Sequence, residues 1–377
     1  MVRLFGREYS RGELLRRLGT ISQVTFARPF EFTEGRERGV RAVEVKTGGG
    51  LSFLVLIDRG LDIGVAEYKG VPLAYVSPTL YAHPSYFEPE RLGWLRGAFL
   101  GLLTTCGLTY AGAPTVDMGE ELGLHGRYSY CPAEGFSVEH EWDGDECYVV
   151  VRGAAREVSF FGPNVVLRRE VRARLGGRSI EVRDVVANEG YERQPLMVLY
   201  HFNFGFPVVD EGARVVLTSR LYVPRDEEAM VGAERFDELH APVRGYREKV
   251  YFHDMAADEE GYAYAGIVNE ALGLGVYVKF RRDQLNRLIQ WKMLGEQFYV
   301  VGLEPANCLV LGRAREREWG TLQFIEPGES REFELEVGVL EGPEELEEFR
   351  RMVREVAGVD RPKMLGSVEE FVAATKA

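Results

Sequence analysis

Three side chains have the types and settings for proton chemistry: Glu304, His201 and His125. Glu304 lies in Tyr-Val-Val-Gly-Leu-Glu-Pro-Ala-Asn, 299–307, where a carboxylate follows an apolar run. A carboxyl group buried behind such a run needs specific partners or has its pKa raised. A raised carboxyl pKa suits a general base working near neutral pH. Pro305 is expected to end the strand and hold Glu304 at a sheet rim; the plain alternative is a strand-end Glu facing solvent. His201 lies in Leu-Tyr-His-Phe-Asn-Phe-Gly-Phe-Pro, 199–207, where His201 and Asn203 interleave with aromatic residues. Sugar pockets combine flat apolar walls with a few polar groups in this way, although a buried aromatic strand with one satisfied His reads the same.

His125 lies in Gly-Leu-His-Gly-Arg, 123–127. Its flanking glycines would let the backbone approach a ligand closely, and Arg127 adds a planar donor fork. A loop His beside a surface Arg is the alternative. Asp58 and Arg59 open Asp-Arg-Gly-Leu-Asp at the end of another apolar strand. They either pair within the turn or face a pocket at the same rim. Asp210 and Glu211 follow the His201 segment and either read sugar hydroxyls or cap a loop.

The elements that must position these residues read as strands. Val43–Lys46 alternates, and 51–57 is short and nearly all apolar, as a strand buried on both faces would be. The clearest pair is 165–175 with 179–187, joined through Gly176-Gly177, a dipeptide that favours a primed hairpin turn. Further strands are expected at 196–202, 214–218, 262–268, 274–280, 297–303, 320–325 and 331–340. In the last, Phe333 to Val339 place apolar residues at odd positions and Glu332 to Glu336 charges at even ones. One face therefore meets water, as in one layer of an antiparallel sandwich. Helical patterns sit at the ends: 10–18, with Ser10 and Glu13 as a capping box; 343–356; and 367–375, with Ser367 as cap. No linker interrupts the strands. The expected organisation is a helical extension at 1–20, one large β-sandwich at 21–340, and a second helical extension at 341–377.

Composition narrows the function. The chain has 377 residues, and 46 basic against 59 acidic residues give a net charge of −13. Phosphate backbones and anionic bilayers attract basic patches, so neither nucleic acid nor membrane is an expected partner. Cysteines 106, 131, 147 and 308 form no C-x-x-C pair, which argues against a zinc site built on them. The uncharged stretch 97–116 contains four Gly, four Thr and a Pro; it reads as buried or pocket-lining chain, not a membrane span. No signal-peptide core opens the sequence, and a reducing cytoplasm is the expected location. Neither a G-x-S-x-G elbow nor a phosphate loop occurs.

Taken together, Asp58-Arg59-Gly60-Leu61-Asp62-Ile63, Leu103 to Leu108, His125-Gly126-Arg127, Tyr200-His201-Phe202-Asn203 and Gly302-Leu303-Glu304-Pro305 resemble, in order, the aldose 1-epimerase (galactose mutarotase-like) superfamily. The likeness is to an aldose-epimerase-like subgroup carrying the D-R-G-L-D-I strand end, and it spans roughly 20–340. The resemblance implies a mainly β fold, a large antiparallel supersandwich with helical decorations at the termini, and a small sugar as substrate. It implies anomer interconversion without a cofactor, with Glu304 as base at the C1 hydroxyl and His201 as acid at the ring oxygen. His125 matches a second His that bonds the sugar near the reacting centre. Arg127, Asp58, Arg59, Asn203 and Asp210 are the further candidates for substrate contact. Galactose mutarotases follow their catalytic His with Ser/Thr-Tyr-Phe-Asn, whereas His201 continues into Phe-Asn-Phe-Gly-Phe-Pro. Hexose identity therefore does not carry over. Two other readings of the same residues are a sugar isomerase or epimerase with a metal on His125, His201 and Glu304, and a non-catalytic carbohydrate-binding protein.

Overall fold

The apolar/polar alternation of the mid-chain segments resolves into two antiparallel sheets packed face to face. A computed structural model describes residues 1–376. One sheet has eight strands, from Glu134–Asp143 at one edge to Arg214–Leu217 at the other, and includes the pair Asn164–Arg174 and Ser179–Asn188. The other has twelve strands. Its centre runs Lys249–Met255, Arg287–Leu294, Tyr299–Ala306, Leu199–Gly205, Leu103–Cys106 and Asp62–Tyr68. Every strand ladder is antiparallel except Ser219–Pro224 with Lys363–Met364. The mostly β architecture of two large antiparallel sheets is the expected one.

Tyr200, Phe202 and Phe204 point between the sheets, into the core that holds Val165, Leu167, Val182, Val278 and Leu335. The interior also carries a charged cluster directly behind the strands of the larger sheet. Arg169, wholly buried, bonds Asp62 at 2.7 Å, Asp184 at 2.6 Å and the Thr105 hydroxyl at 2.8 Å. Tyr200 donates to Asp184 at 2.7 Å, and the Thr105 amide donates to Asp62 at 2.9 Å. Buried charges persist only when paired and fully hydrogen-bonded, as here. Even so, burial among these groups raises the Asp62 pKa to about 6.

A second apolar cluster covers the outer face of the larger sheet. It includes Trp94, Cys106, Leu199, Ile289 and Ala306, capped by Phe371 of the helix Val368–Thr375. This explains why every residue of Leu199–Gly205 is buried. The stretch 97–110 is buried on both sides of the sheet: Ala98, Leu100, Cys106 and Tyr110 join this cluster, whereas Leu102, Leu103 and Leu108 join the core between the sheets.

Several boundaries differ from expectation for identifiable reasons. Tyr299–Ala306 continues through Pro305, which pairs with Leu288. Glu304 therefore sits on the sheet's face, not at a rim. The Leu51–Leu56 strand is buried on one face and half-buried on the other. Ser10 and Glu13 form both bonds of the capping box, but the helix is short, Arg11–Leu15, and follows a hairpin, Val2–Leu4 with Arg7–Tyr9. The strands Glu134–Asp143, Lys249–Met255 and Arg287–Leu294 were not evident in the sequence, because charges and aromatics blur their alternation.

Candidate active site

Strand pairing brings the two distant segments together. Phe202 pairs with Leu303 and Leu199 with Ala306, which sets His201 opposite Glu304. Both side chains leave the outer face, and His201 Nε2 lies 3.2 Å from Glu304 Oε1, close but not aligned as a hydrogen bond. Gly302 makes the approach possible. A methyl group there would stand 2.4 Å from Glu304 Oε1 and 3.2 Å from His201 Cε1.

His125 arrives from a loop. Its backbone has φ of 57°, and its amide donates to the Gly112 carbonyl at 2.9 Å. Gly126 is required by the neighbouring chain and not by a ligand: a Cβ there would meet the Gly107 and Tyr110 carbonyls, each at 2.4 Å. The buried Glu157 carboxylate fixes that neighbouring loop by accepting the Leu108 amide at 2.6 Å and the Thr109 hydroxyl at 2.5 Å. The His125 and His201 rings stand 5.8 Å apart, edge to face. Trp94 packs on His125 at 4.9 Å and Trp291 on His201 at 5.5 Å.

These side chains form the floor of a cleft of about 710 Å³. Removal from water disfavours charge on each of them. It raises the Glu304 pKa well above the usual carboxyl range, with the nearby Glu248 adding to the effect. It lowers His201 to about 3 and His125 to about 4. Burial therefore favours the uncharged forms here, a carboxylic acid beside neutral imidazoles.

Unpartnered polar atoms concentrate here. Among the described residues, seven buried side-chain atoms have no hydrogen-bond partner, and four belong to this group: Glu304 Oε1, His201 Nδ1, His125 Nδ1 and Asn203 Oδ1. Each such atom costs about 1–3 kcal/mol, and a fold tolerates that where a ligand completes the bonding.

The other sequence candidates are placed elsewhere. Asp58 pairs with Arg41 at 2.5 Å and accepts the Arg41 amide at 2.7 Å. Arg59 is wholly buried and donates to the carbonyls of Ser129 (2.6 Å), Ala82 (2.8 Å) and Gly97 (3.0 Å). Both hold loops together and neither lines the cleft. Arg127 is exposed and donates to the Tyr110 hydroxyl at 3.4 Å. Asp210 closes a turn by accepting the Glu211 amide at 2.9 Å. Asn203 bonds the His201 carbonyl at 2.7 Å and is buried beside the site, outside the cleft lining. Among the described residues, no three His, Cys, Asp or Glu side chains are arranged to hold a metal ion.

The structure adds residues that the sequence did not mark. Trp291 donates to Glu248 at 2.8 Å, and Arg225 pairs with Glu248 at 2.9 Å on the cleft wall. Trp291 lies on a strand without clean alternation. Arg225 and Glu248 look like ordinary surface charges until the fold brings them together.

A family model described as "Domain of unknown function (DUF4432)" matches residues 37–339. The chain belongs to this DUF4432 family. Comparison with curated proteins gives no match. Among solved structures, this DUF4432 chain is similar to a protein from Klebsiella pneumoniae subsp. pneumoniae MGH 78578 called a "putative aldose 1-epimerase". The TM-score is 0.86 at 24% identity, covering 90% of each chain. A galactose mutarotase-like protein from Clostridium acetobutylicum gives 0.56 at 15% identity, over 85% of this chain and 99% of that one. A galactose 1-epimerase from Lactobacillus acidophilus NCFM gives 0.54 at 12%, over 84% and 99%. At these identities the likeness is one of fold. No helix of the described DUF4432 chain is long and apolar enough to cross a membrane.

Proposed function

We propose that this chain is an isomerase of the aldose 1-epimerase type, interconverting the anomers of a small sugar by acid/base ring opening and reclosure. The observation that carries the reading is the Glu304–His201 pair, 3.2 Å apart and almost fully buried on the floor of the cleft. Ring opening needs one proton given to the ring oxygen O5 and one taken from the C1 hydroxyl. A carboxylic acid beside a neutral imidazole holds the same number of protons as a carboxylate beside an imidazolium. Transfer across the pair thus interconverts the two states without net charge entering the site.

In the carboxylate–imidazolium arrangement, Glu304 takes the C1 hydroxyl proton and His201 protonates O5. The C1–O5 bond breaks as the C1 carbonyl forms. Rotation about C1–C2 exposes the other carbonyl face, O5 adds back, and the two protons return by the reverse path. His125, held neutral, offers a hydrogen bond near the reacting centre. The indoles of Trp94 and Trp291 provide flat apolar surface for the C–H faces of a sugar. The Arg225–Glu248 pair offers a donor and an acceptor for hydroxyl groups.

The test is Glu304→Gln and His201→Asn, each assayed for anomer exchange by saturation-transfer NMR across a panel of free aldoses. Loss of the acid or base is expected to slow exchange about 100-fold or more. Wild-type rates in both variants, or no exchange by the wild-type protein on any aldose, would overturn the reading. Sugar binding without exchange would identify a carbohydrate-binding protein instead.

A further inference from the structure

The cleft is larger and more apolar than a single free hexose requires, and its apolar part has a definite place. Pockets of about 300–1,000 Å³ hold drug-sized ligands, and this one measures about 710 Å³. A hexose has only a dozen heavy atoms. The reacting groups are at the bottom: Glu304 is 2% exposed and His201 6%. The exposed part of the lining is mostly apolar: Leu92, Leu95 and Phe298, exposed by 57%, 50% and 48%, with Pro78, Pro114 and one charged side chain, Glu248. Large apolar side chains grouped at the entrance to a cleft mark a binding surface.

The charges point the same way. Among the described residues, Arg225 is the only cationic side chain lining the cleft. It is already paired with Asp226 at 2.7 Å and Glu248 at 2.9 Å. Arg59 and Arg127 lie outside the lining. A phosphate or sulfate on the sugar would therefore meet no free cation and one buried carboxyl group.

Resting on the anomer-exchange reading, we propose that the substrate is a sugar bearing an uncharged apolar substituent, which lies against Leu92, Leu95 and Phe298. The geometry of a pyranose sets the attachment point. With C1 and O5 on the floor between Glu304 and His201, the opposite ring edge, C3 and C4, faces the mouth. The substituent sits there and leaves the anomeric hydroxyl free.

The probes are glucose, galactose and mannose, each compared with its 4-O-benzyl ether and its 4-O-sulfate ester. Binding is measured by calorimetry on Glu304→Gln, so that it reads independently of turnover. For at least one of the three sugars, the benzyl ether is expected to bind at least about tenfold more tightly than the parent, as burial of an aromatic ring gives. The sulfate ester is expected to bind no better than the parent. Leu92→Asn with Leu95→Asn, both at exposed positions, should remove the advantage of the benzyl ether over the parent sugar. Equal affinity for benzyl ether and parent, preference for the sulfate ester, or no binding of any probe overturns the proposal. A benzyl ether that binds as expected while the wild-type protein leaves its anomers unexchanged overturns the catalytic reading and not this one.

Discussion

Gly302→Ala separates the geometry of the proposed catalytic pair, Glu304 and His201, from the stability of the fold. Gly302 is not among the positive-φ residues, so alanine is conformationally acceptable and its effect is steric. The new methyl would stand 2.4 Å from Glu304 Oε1, 3.1 Å from Trp291 Cβ and 3.2 Å from His201 Cε1. Restoring a carbon–oxygen contact of about 3.3 Å moves Oε1 by roughly 0.9 Å. The carboxyl end of Glu304 can swing that far, so the fold should lose no more than the ~1–3 kcal/mol of a mildly overpacked core. Catalysis has no such freedom, since a misplacement of about 1 Å costs on the order of 100-fold in rate. The assay is saturation-transfer NMR on the preferred aldose, with thermal unfolding in parallel. Exchange within threefold of wild type, in a protein that unfolds normally, would refute the claim that this close approach is what Gly302 provides.

Three further outcomes follow from the same site and its supports. Because burial lowers His201 to about 3 and raises Glu304, the acid limb of kcat/KM should lie at or below about pH 4, and the loss at higher pH should follow ionisation of Glu304; an acid limb near pH 6.5, the value of an ordinary His, would contradict this assignment of protons. Glu304 binds its proton more tightly folded than unfolded, so the stability it contributes is fully present below about pH 4.3 and declines as pH rises toward the folded pKa. Glu304→Gln should therefore gain in melting temperature relative to wild type as pH rises, and a pH-independent difference would count against a raised pKa. Arg59→Lys leaves at least two of three buried carbonyls unpaired and should lose about 3 kcal/mol in urea unfolding; a loss under 1 kcal/mol would show that the fork is not structural.

The fold was legible where burial is one-sided. The strand Ser330–Glu341 alternates apolar and charged residues because one face meets water. The strands Asn164–Arg174 and Ser179–Asn188 are joined close to the expected place, but by a turn centred on Leu175-Gly176, with the Gly177 amide donating to the Arg174 carbonyl at 2.9 Å and only Gly176 at positive φ. Legibility failed where both faces are covered or where charges pair across strands. Arg287–Leu294 carries Arg287, Gln290 and Lys292 inside the protein, each bonded to backbone carbonyls, so no period of two survives. The site divides in the same way. Glu304 and His201 could be singled out because a polar residue in an apolar run is anomalous. Asp58 and Arg59 are anomalous for the same reason, yet the structure satisfies them internally. Sequence shows that a polar group is buried; only the fold shows whether it has a partner. Of the cleft lining, Trp291, Arg225 and Glu248 gave no local signal.

The Arg169 cluster bears on the Glu304–His201 pair, although it lies on the other side of the sheet. Sliding a strand by one residue turns its apolar side chains outward, and the hydrophobic pattern resists it. Sliding by two restores the pattern, so hydrophobic burial alone discriminates weakly against that error. Thr105 and Tyr200 belong to two adjacent strands of the larger sheet, and Arg169 and Asp184 to the opposite sheet. A two-residue slide of Leu199–Gly205 would carry Tyr200 away from Asp184, and one of Leu103–Cys106 would take Thr105 from Arg169. Either leaves a wholly buried polar group short of a bond. The charged cluster thus acts as a vernier on strand alignment, and the same alignment places His201 across from Glu304.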